Sequence, residues 1–294
     1  MKVNDNLKGG VSAILAAVTY GMNPFFGIPL YREGMQPLSV LFYRFFFATI
    51  LMVCIMRIQK APFRLPVKCL VHTVAGGIFL ALTCLFWFMT FQIMDSGIAA
   101  TLLYIYPVMV ALMMFFLYKE RLSVFTVSGM ILAAAGVVLL CQPGSNANVN
   151  VRGIIYIMLS AFTYAVYIVG VKKSRLRELP PQTMTFYTIM FAIPVFLIPL
   201  RMGADLQMIP SWSAFGNLAG LAFFTSLLSF LFTAVAIRYI GPTLTSVLGA
   251  LEPVTAVLIG IFFFGETITL KIFAGIIMII FAVTVVICGK VSST

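Results

Sequence analysis

The chain has 294 residues, of which 62% are hydrophobic and only 9% are charged, so most of it cannot face water. This composition excludes a soluble enzyme and predicts a polytopic membrane protein. The formal net charge of +11 could indicate nucleic-acid binding, but the basic residues lie mainly in the connections between apolar stretches. That distribution is typical of membrane topology, so we expect no nucleic-acid partner.

The chain contains ten apolar stretches, each of which is long enough to cross a hydrocarbon core of about 30 Å as a helix. In chain order they are residues 9–30, 37–57, 69–92, 97–117, 124–141, 152–171, 182–201, 213–237, 242–264 and 270–288. Backbone groups in lipid must be satisfied internally, which favours α-helices over the alternating pattern of a barrel. We therefore predict an all-α protein with ten transmembrane helices and no room for a soluble domain.

The two halves of the chain repeat each other. Identical residues recur at an offset of 144 over the first three spans and of 146 beyond them: Gly9 and Gly153, Tyr20 and Tyr164, Pro37 and Pro181, Gly76 and Gly220, Gly97 and Gly241, Pro107 and Pro253, Gly129 and Gly275. Such a period indicates an internal duplication. We assign the first five-helix repeat to residues 1–143 and the second to residues 151–290.

The two repeats are predicted to lie upside down relative to each other, because each contains an odd number of spans. The loop after the first span carries Arg32 alone in the first repeat but four basic residues, at 172–177, in the second. The loop after the second span shows the reverse, with four basic residues at 57–68 and only Arg201 in the second repeat. Inverted repeats are the hallmark of secondary transporters, which bind substrate near the midplane and alternate access to it.

The distribution of Lys and Arg sets the predicted orientation. With ten crossings and a cytoplasmic N-terminus, four basic residues lie outside: Arg32, Arg152, Arg201 and Lys271. Fourteen lie inside: Lys2, Lys8, Arg57, Lys60, Arg64, Lys68, Lys119, Arg121, Lys172, Lys173, Arg175, Arg177, Arg238 and Lys290. By the positive-inside rule both termini are cytoplasmic, and we expect the protein in the cytoplasmic (inner) membrane.

Several of these features also carry a family resemblance, which covers essentially the whole chain. They are the paired five-helix units, Phe42-Tyr43-Arg44 in the second span, Leu251-Glu252-Pro253 in the ninth, and the apolar run that ends in Gly265-Glu266-Thr267. With them the chain resembles the EamA type of the drug/metabolite transporter superfamily. In the first repeat the last signature departs from the usual Gly-Glu, since Lys119-Glu120-Arg121 stands there.

The resemblance implies a secondary transporter that moves small organic metabolites across the cytoplasmic membrane by alternating access. Members of this family mostly export amino acids and other small metabolites, so export of amino acids or related compounds is the expected activity. Nucleosides, vitamins and organic acids are the alternative substrate classes, and a channel-like membrane protein is the alternative mechanism. The expected partners are a small-molecule substrate, the lipid bilayer and, for coupling, protons; the sequence indicates no oligomeric state.

Glu252 is the first candidate for a functional residue, because a carboxylate deep in a membrane helix is costly and rarely present without a role. It could bind a substrate amine or exchange a proton. Alternatively, it could cap backbone groups that Pro253 leaves unpaired. Pro107 and Pro253 occupy matching midpoints of the fourth and ninth spans, where we expect kinks that shape a cavity and act in gating.

Arg44 in the second span is the second charged candidate. It could attract a substrate carboxylate or pair with Glu252, or it could instead snorkel to the interface along its aromatic neighbours. Polar aromatic and small polar side chains complete the predicted substrate cavity, since they combine an apolar body with a hydrogen-bonding tip. These candidates are Tyr20, Asn23, Trp87, Tyr104, Tyr106, Tyr164 and Ser229.

No catalytic residue, metal or cofactor is predicted. His72 is the single histidine, the chain has no H-E-x-x-H motif, and no phosphate-binding glycine loop is present. The five cysteines are widely spaced and form no C-x-x-C pair, so we expect them to be small core residues.

Overall fold

The computed structural model describes residues 2–91, 93–94, 96–140, 150–265 and 267–292, and every regular element in these ranges is helical. The α-helices are α1 (Lys2–Gly21), α2 (Asn23–Arg32), α3 (Pro37–Ile58), α4 (Val67–Phe91), α5 (Ser96–Leu103), α6 (Tyr106–Tyr118), α7 (Val124–Leu140), α8 (Val151–Lys173), α9 (Pro181–Leu197), α10 (Trp212–Gly220), α11 (Ser229–Ile240), α12 (Pro242–Leu248), α13 (Leu251–Phe264) and α14 (Leu270–Ser292). A π-helical segment, Leu221–Leu228, joins α10 to α11.

Within the described ranges, eight helical stretches are long and apolar enough to span a bilayer. They are Asp5–Arg32, Pro37–Ile58, Val67–Thr90, Ile98–Tyr118, Val151–Lys173, Trp212–Ile240, Pro242–Phe264 and Leu270–Cys288. Helices α7 and α9 are also apolar but have 17 residues each, or about 25 Å at helical rise. The prediction of an all-α, multi-pass architecture agrees with these helices.

Several predicted boundaries differ from the structure. The first helix begins at Lys2 rather than near residue 9. Helix α9 ends at Leu197 rather than near residue 201, and the chain beyond it turns, with Arg201 and Met202 in the left-handed conformation at φ of 47° and 57°. The ends predicted at residues 92 and 141, the repeat boundary at 143, and Glu266 lie outside the described residues.

The helices of the two halves pack against each other in reciprocal pairs. Helix α4 packs on α8 and α9, while α11 and the π-helical segment pack on α1 and α3. Helices α7 and α14 pack together at close range, since a Cβ atom added at Gly136 would lie 2.6 Å from Ile279. Small residues at such crossings let helix backbones approach closely.

The connections gather at two ends of the bundle. At one, which we call the basic end, Lys68 forms an ion pair with Glu178 at 2.7 Å, and the Lys173 ammonium lies 4.7 Å from the centroid of the Tyr118 ring. At the other, the opposite end, the segment between α9 and α10 lies on the α2–α3 turn. The centre of the bundle, between these ends, holds the candidate site.

A candidate substrate site between two broken helices

The fourth and ninth predicted spans are both broken near their middles. Residues 104–105 separate α5 from α6, and residues 249–250 separate α12 from α13. Pro107 and Pro253 lie in the first turn of α6 and of α13, where a backbone N–H needs no intrahelical partner. The interruptions therefore fall just before the prolines for which we predicted kinks.

Tyrosine hydroxyls connect the two breaks. The Tyr104 hydroxyl donates to the carbonyl oxygen of Val247 at 3.0 Å, and the Tyr106 hydroxyl donates to that of Ser246 at 3.2 Å. Both acceptors lie in the last turn of α12, where they also accept from the backbone N–H groups of Gly249 and Ala250. The hydrogen-bonding tips of Tyr104 and Tyr106 are thus used to join the first half of the chain to the second.

Glycine at position 249 is required for this contact. A Cβ atom there would lie 2.0 Å from the Tyr106 hydroxyl, which no side chain could tolerate without displacement. The aromatic contact continues inward, because the Tyr106 and Tyr164 ring centroids are 4.8 Å apart in an edge arrangement. Tyr106 and Tyr164 then form one wall of a central cavity.

The central cavity has a volume of about 10 Å³, enough for about one water molecule. The predicted residues that line it are Tyr106, Tyr164 and Glu252. The wall is completed by Ala13, Ala16, Ala17, Ile168, Thr233, Thr245, Ser246 and Gly249. The bundle is therefore closed around its centre in this structure.

Glu252 lies in the first turn of α13, at the positive end of the helix dipole, where a carboxylate is favoured. Its carboxylate makes no hydrogen bond or ion pair with any described residue, so the predicted capping role is not observed. Tyr20, Tyr104, Tyr106 and Tyr164 all lie within electrostatic reach of it. An unpartnered carboxylate surrounded by tyrosines can accept a cationic group of a ligand or a proton.

Arg44 is buried, with only 6% of its surface exposed, and does not snorkel to an interface. Its Nε donates to Ser226 Oγ at 2.6 Å, and its two terminal nitrogens donate to the Thr225 carbonyl at 2.9 Å and to Asn23 Oδ1 at 3.1 Å. All three acceptors are neutral, and Arg44 forms no ion pair with Glu252 among the described residues. Three of its five N–H donors are thereby used.

Tyr20 connects these two charged groups. The Arg44 guanidinium carbon lies 5.4 Å from the centroid of the Tyr20 ring, and Glu252 interacts electrostatically with the same side chain. Asn23 supports the arrangement, because its Nδ2 donates to the Tyr20 carbonyl at 2.7 Å while its Oδ1 accepts from Arg44. The structure thus brings four predicted residues, Tyr20, Asn23, Arg44 and Glu252, to one region.

Two predicted residues lie elsewhere. Ser229 is buried and its hydroxyl donates to the Ala16 carbonyl at 3.0 Å, which ties α11 to α1 behind the cavity wall. Trp87 packs in a separate apolar cluster with Met94 and Ile157. Their side chains therefore support helix packing rather than line the central cavity.

Small residues on α1 were missed by the sequence analysis. Ala13, Ala16 and Ala17 follow the three- and four-residue spacing of one helix face, and all three line the cavity. That spacing was the available signal. The described residues include no group of three or more His, Cys, Asp or Glu side chains placed to hold a metal ion.

Long apolar helices packed around a closed polar centre define a multi-pass helical membrane protein. The sequence model of the EamA-like transporter family matches residues 7–142 and 151–288, so the chain belongs to this family and is a membrane transporter rather than an enzyme. The predicted family resemblance is confirmed.

Relatives along the whole chain carry transporter names. An uncharacterized transporter of Archaeoglobus fulgidus is 28% identical over 94% of this chain and 95% of its own length. The uncharacterized inner membrane transporter YedA of Escherichia coli is 28% identical over 95% of this chain and 90% of its own length. A crystal structure with 17% identity has the same fold, with a TM-score of 0.83 over 100% of both chains.

Proposed function

We propose that the protein is a secondary transporter that carries small organic metabolites, most simply amino acids or related compounds, out of the cell by alternating access. The observation that carries the proposal is the central cavity, where an unpartnered carboxylate lies between two broken helices. Transporters place substrate sites at such interruptions, near the midplane and between repeats. A cavity of about 10 Å³ also argues against an open channel.

The amino-acid class is supported by the charges around Tyr20. Glu252 offers a carboxylate to an ammonium group, and Arg44 offers a guanidinium to a substrate carboxylate. The apolar and aromatic wall between them suits a partly apolar metabolite. Proton coupling at Glu252 belongs to the same proposal.

The ten-span, inverted-repeat topology is part of this proposal. The eight long helices together with α7 and α9 give ten crossings, and 17 residues lie within the length range of membrane helices. Reciprocal packing of α4 on α8 and of α11 on α1 supports two equivalent units, which we place at residues 1–143 and 151–290. The basic end faces the cytoplasm by the positive-inside rule, as do both termini, in the inner membrane.

The direct test is counterflow with purified protein in liposomes. Amino acids, nucleosides, vitamins and organic acids are first screened by thermal shift, and labelled solute is then supplied outside vesicles that contain excess unlabelled solute. A transporter accumulates label transiently, whereas a channel conducts without accumulation. Conductance without counterflow would overturn the proposal.

Proton coupling is tested separately with Glu252→Gln. We expect this variant to lose pH-gradient-driven uptake, while solute exchange persists at a raised KM because the substrate ammonium loses its charged partner. Glu33→Gln is the matched control, because Glu33 lies at the opposite end and accepts a hydrogen bond from Ser211 at 2.5 Å. Wild-type dependence on the gradient in Glu252→Gln would remove Glu252 as the proton site.

A further inference from the structure

A second cavity lies at the basic end rather than at the centre. It has a volume of about 310 Å³, within the size range of small-molecule sites. Its floor is apolar and buried, formed by Val171, Leu176, Leu179, Met184 and Ala234. Its rim carries Lys172, Arg177, Glu178 and Arg238. We call this space, bounded by that floor and rim, the basic cavity.

The rim presents guanidinium groups without partners. The carboxylate of Glu178 is already bound by Lys68 at 2.7 Å, and the Lys172 ammonium donates to the Arg238 backbone oxygen at 2.7 Å. The guanidinium groups of Arg177 and Arg238 bind no acceptor among the described residues. A guanidinium binds carboxylate or phosphate through two parallel N–H donors. The rim is therefore suited to an anionic group.

The carboxylate of Glu178 does not neutralise the positive charge of the rim. The hydrogen bond from Lys68 holds the pKa of the Glu178 carboxyl below its usual value, and the charges of Arg175 and Arg177 act in the same direction. The carboxylate is ionised at neutral pH, and its charge is balanced by Lys68 from outside the cavity. The three rim cations set the local potential together with Lys173 and Arg175 nearby, and Glu120 offsets part of the charge of Lys172.

The basic cavity and the central cavity share two helices. On α8, Ile168 lines the central cavity while Val171 and Lys172 line the basic cavity. On α11, Thr233 lines the central cavity while Ala234 lines the basic cavity. The lining residues of the two spaces are about one helical turn apart on α8, or roughly 5 Å along the axis, and are adjacent on α11.

The opposite end is tied shut around Gln207. Its side-chain oxygen accepts from the Gln36 backbone N–H at 2.5 Å, its backbone N–H donates to Ser39 Oγ at 3.1 Å, and its carbonyl accepts from the Tyr43 hydroxyl at 2.8 Å. A solute that leaves or approaches the centre in this conformation therefore has the shorter route through the basic cavity.

We propose that the basic cavity is the loading site from which solutes bearing a carboxylate or phosphate reach the centre, with Arg177 and Arg238 binding the anionic group. This inference rests on the proposed transport function and narrows its substrates to solutes that carry such a group. A rim of cations would select against purely cationic compounds. Focusing by a charged cleft raises association rates by about 10-fold or more.

The first test needs no substrate. Met184→Cys is introduced into a variant without the five native cysteines. The new thiol is reacted with a methanethiosulfonate reagent that carries an anionic sulfonate and, separately, with one that carries a cationic trimethylammonium group. We expect the ratio of the anionic to the cationic reaction rate to be about 10-fold higher at Met184→Cys than at the exposed Met208→Cys of the opposite end. Arg177→Gln with Arg238→Gln abolishes the preference, while Arg201→Gln leaves it unchanged. An equal ratio at both cysteines would overturn the inference.

The second test measures counterflow with solute offered at the basic end. Both rim arginines are exposed, so we expect Arg177→Gln with Arg238→Gln to fold and to raise KM about fivefold or more from this side, with KM from the opposite side unchanged. Counterflow with unchanged KM would overturn the loading role alone. Absence of counterflow in the wild-type protein would instead overturn the transport function.

The anionic headgroup of a lipid can bind the same rim arginines, and the thiol assay distinguishes such a lipid from a transported solute. The reaction of Met184→Cys is compared in phosphatidylcholine vesicles and in vesicles with phosphatidylglycerol added. A loading site is protected by transported solute and is indifferent to the anionic lipid. Protection by phosphatidylglycerol alone would assign the site to a lipid and overturn the proposal.

Discussion

Gly249 determines how closely the two broken helices approach. With a methyl group 2.0 Å from the Tyr106 hydroxyl, Gly249→Ala must displace the tyrosine and break its bond to Ser246. We expect the free energy of unfolding to fall by about 1–3 kcal/mol, the usual cost of overpacking. The measurement is thermal or denaturant unfolding in detergent.

Gly170→Ala is the matched control, since a Cβ atom at Gly170 has no neighbour within 4 Å. A helix-interior glycine in open space gains about 0.5–1 kcal/mol when replaced by alanine. Equal stability changes at the two positions would show that the Tyr106 contact does not constrain the backbone.

Arg44 is held by geometry as well as by charge. Lysine keeps the charge but cannot present three donors in a planar fork to Ser226, Thr225 and Asn23. Arg44→Lys should therefore lower the free energy of unfolding by about 1.5–3 kcal/mol, the range for hydrogen bonds to charged groups. Arg201→Lys, at a side chain that is 80% exposed, should have no measurable effect. Equal effects of the two substitutions would contradict the buried role of Arg44.

The sequence predicted which residues carry the polar chemistry better than it predicted their partners. A carboxylate and a guanidinium in apolar helices are conspicuous, and both lie near the bundle centre beside Tyr20. Two partners of Arg44, Thr225 and Ser226, lie in the π-helical segment, whose wide turn has no sequence signature. The hydroxyl contacts of Tyr104 and Tyr106 likewise required the approach of the second half of the chain.

At the level of elements, the breaks at residues 104–105 and 249–250 are the parts most able to move. Gly249 accepts a hydrogen bond from the Glu252 N–H at 2.9 Å, and the ring of Pro253 prevents the bond that would continue an α-helix. Tyr104 and Tyr106, at the first break, both donate to carbonyl oxygens of α12 just before the second break. A change at either break is thus transmitted to both.

Pro253→Ala restores a donor for the Gly249 carbonyl and favours a continuous helix by about 1 kcal/mol. We expect counterflow to slow roughly fivefold, with thermal stability retained or raised. Pro194→Ala is the matched control, because Pro194 lies inside α9 and does not line the central cavity. Unchanged exchange in Pro253→Ala would separate the break from the transport cycle.

Helix positions were predicted well and helix ends less well. Long hydrophobic runs mark membrane helices directly, and the paired prolines indicated where two of them are interrupted. The turn that follows α9 contains left-handed residues at 201 and 202 that are not glycine, which no propensity favours. The N-terminal turns of α1 carry polar residues and were therefore left out of the apolar stretch.

At the scale of the whole molecule, the two ends of the bundle differ in whether they are closed. The opposite end is closed by bonds to Gln207, while the basic end contains a cavity of about 310 Å³ above a closed centre. Alternating access requires these states to exchange, so that the opposite end opens as the basic cavity closes. Gln207→Ala removes side-chain bonds from the closed end and should favour the exchanged state, whereas Met208→Ala, at a residue that is 89% exposed, should not.

The most direct measurement is of distances between spin labels at the two ends, by pulsed electron paramagnetic resonance in liposomes. One pair joins Leu7 to Val67 at the basic end, and the other joins Tyr31 to Met208 at the opposite end; all four side chains are exposed. With transported solute, or with Gln207→Ala, the pair at the opposite end should lengthen while the pair at the basic end shortens. Simultaneous lengthening at both ends, or fixed distances during active counterflow, would contradict alternating access.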